Sequence, residues 1–168
     1  MTQSRELALL AAVREALAAE LMDIEAVVQA RMMPHIESEE LSTLHVVCYW
    51  DGGERSIVGR GIDERSITIG IALQQAVPHA SQNDRGETVF DGVDSLPFAD
   101  QMFALADRLQ SLWEADGSLR NVQLAGCTYA EMDTGNLYEP ADLLTKGVLS
   151  IVFAVTYSYH RHDTEDDE

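Results

Sequence analysis

Two histidines, His160 and His162, flank Arg161 near the C-terminal end of the sequence. Two residues apart on an extended segment, they would face the same way. With Asp163 or His45 they could ligate a divalent metal, because imidazole nitrogen and carboxylate oxygen are ordinary zinc donors. No spacing fixes a third ligand, and a run of acids is a poor scaffold, so an exposed, non-ligating role is the expectation. The acidic pairs Glu39-Glu40 and Asp63-Glu64 could serve acid–base or cation chemistry. They lack an apolar surround that would split their pKa values and read as solvated turns. His35 follows Pro34 as a loop residue, and His45 reads as a satisfied inner or edge side chain. Gly59-Arg60-Gly61 has half of a dinucleotide fingerprint, without the preceding strand or following helix that the chemistry needs. Asp51-Gly52-Gly53 reads as a turn. The sequence contains no GxxxxGK[ST], GxSxG, HExxH or CxxC. No catalytic residue, metal site or cofactor is expected, and the chain does not read as an enzyme.

Charge narrows the partners. The 168 residues carry 11 Lys+Arg against 29 Asp+Glu, a formal charge of −18. Such an excess of acid disfavours general binding to a phosphate backbone, which needs cations to displace counterions. Five acids fall in the last six residues, and the rest of the chain is still −13. A hydrophobic content of 46% with only 4 Pro argues against a disordered chain. Cys48 and Cys127 sit in apolar runs, where a free thiol behaves as a small hydrophobe, and two are too few for a disulfide framework. No apolar run approaches the length of a membrane span. Glu6 and Glu15 replace the basic start of a signal peptide. The expectation is a soluble, intracellular, single domain over 1–160, with an acidic disordered tail over 161–168.

The elements that must position these residues follow from periodicity. Leu7, Leu10, Val13, Leu17, Leu21, Ile24 and Val28 recur at steps of three or four, predicting one long helix from Ser4 as N-cap to about Met32, before Pro34. Residues 44–50 (LHVVCYW) predict a central strand. Over 66–74, Ile67, Ile69, Ile71 and Leu73 alternate with small or polar residues, predicting a second. Phe98, Met102, Leu105, Leu109 and Leu112 predict a second helix, with Asp94 or Ser95 near its cap, Pro97 in its first turn and Asp116-Gly117 at its end. A third strand is expected over 119–129, bent at Gly126, and a fourth over 148–159. The predicted class is α+β: a mainly antiparallel sheet of four or slightly more strands, with the helices on one face. Its other face carries Ser, Thr, Gly and Ala and would be flat. Residues 51–65, 75–96 and 130–147 read as long connections, one of which could hold a short hairpin near 87–90. Loops of that length in a small domain suggest contact with other chains. Trp50 and Trp113 are candidate interface anchors, Trp113 alternatively closing its helix on the core.

Together these features resemble the tail terminator (tail completion) and related neck proteins of long-tailed bacteriophages, from about Leu7 to Tyr159. One stretch is the N-terminal helix running into Arg31-Met32-Met33-Pro34, then Leu41-Ser42-Thr43-Leu44-His45-Val46-Val47. Another is Arg55-Ser56, then Arg65-Ser66-Ile67-Thr68-Ile69-Gly70-Ile71-Ala72-Leu73. A third is Tyr138-Glu139-Pro140-Ala141-Asp142-Leu143-Leu144, leading into the last strand from Gly147 to Thr156-Tyr157. The acidic tail and the length of 51–65 depart from the family pattern.

The resemblance implies a structural virion protein, made in the host cytoplasm and placed at the neck. It would form a homo-oligomeric ring, usually a hexamer, that caps the tail tube protein and joins a head-side connector or stopper. Genome DNA would pass through the channel without specific binding, and acids from 51–65 or 75–96 are expected to line it. Interface candidates are Arg55, Arg60 and Arg65, cations that need partners in so acidic a chain, unless Glu54, Asp63 or Glu64 pairs them internally. Tyr138 and Leu143 are candidates for a segment over the sheet or the adjacent subunit. The alternatives are a head-completion adaptor, or a small acidic binding module such as a DNA mimic.

Overall fold

In the computed structural model, residues 3–34, 36, 38–78, 80–90, 92–134, 143 and 146–162 are described. Helix α1 (Arg5–Glu20) starts as expected, with the Ser4 side chain accepting a hydrogen bond from the Leu7 amide at 3.3 Å. It buries Leu9, Leu10, Val13 and Leu17, whereas Leu7 is left outside. The expected continuation to Met32 is corrected. The chain turns over residues 21–25 and forms β1 (Ala26–Arg31), parallel to β2 (Leu44–Trp50). Ile24, Ala26 and Val28 all pack on the core, which is strand alternation. A spacing of four between Ile24 and Val28 satisfies both periods, so the apolar stripe could not tell helix from strand. Two things favour the strand: the β-branched pair Val27-Val28, and an open edge of β2 whose backbone groups β1 satisfies.

The next correction concerns 51–65, expected as a loop. After β2 the chain bulges through residues 51–54 and continues as β3 (Arg55–Gly59), turns at Arg60-Gly61, and returns as β4 (Ile62–Ala76). The bulge stays bonded to β4: the Asp51 amide donates to Thr68 O and the Ser66 amide to Glu54 O. A Cβ on Gly53 would lie 2.3 Å from Ser66 O, so the bulge requires glycine there. A two-strand hairpin, β5 (Ser81–Gln82) with β6 (Thr88–Val89), occupies the region where one was expected. Helix α2 (Gly92–Gln110) begins ahead of the expected cap, so Pro97 lies inside it, and a 3-10 turn carries the chain to Trp113. The expected strand over 119–129 is also corrected. Ala125 and Gly126 have positive φ and make a tight turn bridged by Leu124 and Cys127, so only β7 (Thr128–Asp133) is extended. The last strand, β8 (Val148–His162), runs three residues past its expected end and into the stretch assigned to the tail.

These strands form one six-stranded mixed sheet in the order β1-β2-β4-β8-β7, with β3 also on β4. The class is α+β. Ile67, Ile69, Ile71 and Leu73 of β4 and Ile151, Phe153, Val155 and Tyr157 of β8 face both helices and are buried. Trp113 closes this core: its Nε1–H donates to Tyr157 Oη at 2.7 Å, edge-on to Phe153. The opposite face is not simply flat. At one end of it Ile36 and Leu41 pack on Val47 and Val148. Gln74 Nε2 donates there to Pro34 O and Ser150 Oγ. Further along, Tyr49 lies against Gly70 so closely that a Cβ would sit 2.2 Å from the ring.

Candidate functional site

Beyond Ile67 and Tyr157 the strands leave the helical layer. All five residues of β3 are exposed, as are His160 and Arg161 at the end of β8. The paired segments 55–65 and 159–162 therefore form an arm whose geometry rests on ladder hydrogen bonds from β3 through β4 to β8. Ile57 is 78% and Val58 57% exposed, an unusual placement for two β-branched residues. Four of the 11 cations lie on this arm (Arg55, Arg60, Arg65 and Arg161) against two acids, Asp63 and Glu64. The arm is thus +2. Elsewhere seven cations face 27 acids, and the remainder of the chain is −20.

The structure places the three sequence-selected arginines on one hairpin. Arg55 and Arg65 are directly opposite across β3 and β4, and Arg60 is exposed at the turn between them. Arg55 pairs internally, its Nη2 lying 2.5 Å from the carboxylate of buried Asp63. Arg65 is half-buried with its Nε shielded from solvent and unbonded among the described residues. The arm is tied to the body by Arg5 of α1, whose guanidinium stacks 4.5 Å over the Tyr159 ring. Leu143 packs against the core of its own chain, beside Phe90, Phe98 and Leu149. Tyr138 and Asp163 lie outside the described residues.

Beside the arm's base is a groove of about 610 Å³, walled by Glu6, Leu7, Leu10 and Arg14 of α1, Ala30 and Arg31 at the end of β1, Met32 and Trp50. Leu7 and Trp50 are more than half exposed along it. Of the two tryptophans, Trp50 is exposed and Trp113 is buried in the core. The apolar arm residues Ile57 and Val58 escaped sequence reading because charged neighbours break their alternation. The signal was the turn Gly59-Arg60-Gly61 between two short β-branched segments.

Among the described residues, no three or more His, Cys, Asp or Glu side chains gather as a metal site. His45 pairs with Gln74 and His160 with Glu64, ten residues away on the same strand, hence about 33 Å apart. They cannot share a metal. His45 is buried, its Nδ1 2.9 Å from Thr43 O. Burial pushes the Cys48 thiol up to about 12, the setting of an unreactive core cysteine. At the far end of α1, Arg108 of α2 donates to the Glu20 carboxylate and backbone oxygen and to both Asp23 oxygens. That hydrogen bonding holds the Asp23 carboxyl below its ordinary value. Among the described residues no helix is long and apolar enough to cross a membrane. No protein-family model matches this chain, and no curated protein matches it in sequence.

Proposed function

We propose that this chain is a structural subunit of a phage neck, a tail terminator that forms a homo-oligomeric ring on the tail tube and presents a surface to the head-side connector. The observation that carries the reading is the arm: an exposed β-extension with basic and apolar side chains, on a chain whose remainder is −20, five of those charges in residues 163–168. A subunit that carries opposite charges on different surfaces favours head-to-tail contacts with copies of itself. Such heterologous contacts build rings when their rotation closes. The resemblance of 41–47, 65–73 and 147–157 to the terminator family supports the same reading, and in the fold these stretches supply the central strands β2, β4 and β8. The acidic body suits a DNA channel, because a negative wall repels the duplex and lets it slide. Acids of 75–96 are the proposed lining. At −1 against −3, 51–65 is the weaker of the two segments first considered.

Electron microscopy of tail tubes assembled with and without the protein tests this. Tubes of uniform length with a ring at one end are expected. Tubes that ignore the protein would reassign it to the head side of the neck, as an adaptor, or remove it from the virion.

A further inference from the structure

The bulge after Trp50 joins the groove to the arm along the chain. Together they are apolar at Leu7, Trp50 and Ile57. They carry six arginines, Arg55 already paired with Asp63, against the five acids Glu6, Asp51, Glu54, Asp63 and Glu64, a net charge of +1 on a chain of −18. Their complement lies on the same chain. On α2, Leu96, Asp100, Phe103 and Asp107 fall at steps of four, three and four, which places them on a single stripe of the helix. All four are exposed, Leu96 at 73%, while Met102, Ala106 and Leu109 face the core. An exposed stripe that alternates leucine, aspartate, phenylalanine and aspartate serves no purpose in its own core.

We propose that the outer stripe of α2 in one copy docks on the groove and arm of a second copy, as an amphipathic helix laid on an apolar, arginine-bearing surface. Leu96 and Phe103 supply apolar contact, and Asp100 and Asp107 meet the arginines. Two grooves facing each other would oppose arginine to arginine, and two stripes aspartate to aspartate. The contact is therefore heterologous and each copy uses both surfaces. The inference rests on the reading of the chain as a ring-forming subunit and names the interface that closes the ring.

A pair of full-length variants tests it by mass. One carries Asp100→Arg and Asp107→Arg and loses the stripe; the other carries Ile57→Ser and Arg60→Glu and loses the arm. All four positions are exposed, so both variants should melt like the wild type, which circular dichroism checks. By sedimentation the wild type should associate beyond a dimer, and each variant alone should associate at least about tenfold more weakly. Mixed one to one, they retain a single intact contact and should stop at a particle of twice the 18.5 kDa chain mass. Variants that associate as the wild type does, a mixture that stays monomeric, or a wild type monomeric up to about 1 mM would each overturn the contact. Wild-type rings on tail tubes that survive in both variants would overturn the contact but leave the neck reading intact. A capped heterodimer from a wild type that forms only open filaments and ignores tubes would do the reverse.

Discussion

Single side chains in this protein divide into those that close the core and those left facing outward. Trp113 and Tyr157 are both fully buried, and their hydrogen bond is the polar link at the centre of the apolar layer. Burial raises the Tyr157 phenol against the opposing pull of the Trp113 N–H, so the neutral hydroxyl is the acceptor at any ordinary pH. Tyr157→Phe strands the indole N–H without a partner and should cost about 1–3 kcal/mol in chemical denaturation. Cys48, with its titration pushed up to about 12, should resist alkylation at pH 8 until the chain is unfolded. Rapid labelling of the native protein would show that β2 opens locally. By contrast, Trp50 and Ile57 are large apolar groups exposed at one end of the sheet, which is a cost that folding alone does not explain.

Among the elements, the junction between α1 and β1 is fixed by charge as well as by the open strand edge. Arg108 takes the carbonyl oxygen of Glu20 at 2.6 Å, satisfying one of the orphan acceptors at the helix end. Because hydrogen bonding lowers the folded-state Asp23 carboxyl below 3.8, the stabilisation from that ion pair is complete above this value. It is lost as pH falls through the lower, folded-state value. Asp23→Asn should therefore melt below wild type at neutral pH, and the two melting curves should converge as the solution is acidified below 3.8. A gap that persisted there would assign the effect to packing. The bulge between β2 and β3 is a second junction. Gly53→Ala forces a methyl group onto the Ser66 carbonyl and should destabilise the fold by about 1–3 kcal/mol.

At the scale of the whole molecule, a core-bearing body and a coreless arm have separable roles. The body holds both helices and the buried sheet centre; the arm is held by ladder hydrogen bonds, the Arg55–Asp63 ion pair and, at its base, Tyr159, which packs on the core under Arg5. Replacing residues 56–64 with a short turn should leave the melting temperature within a few degrees of wild type. On the proposed neck reading, the same deletion should abolish self-association and the capping of tail tubes. A trimmed protein that failed to fold would place the arm in the stability of the body instead.

Periodicity alone determined the α+β class, the strands at 44–50, 66–74 and 148–159 and the core face of α2, because each rests on local alternation that burial on one face enforces; it left Trp113 open between anchor and core. It also selected Arg55, Arg60 and Arg65, since cations are scarce in so acidic a chain. What lay beyond it required knowledge of neighbours. Whether 24–28 became helix or strand depended on the open edge of β2, and the repeat of four fits both. Whether 51–65 became loop or arm depended on β4 and β8 being long enough to carry a third strand past the core. Leu96, Asp100, Phe103 and Asp107 acquire meaning only once the helix shows which side faces the sheet. Backbone hydrogen bonds and burial are shared between segments distant in sequence, and that is why tertiary structure, not the local pattern, decided these elements.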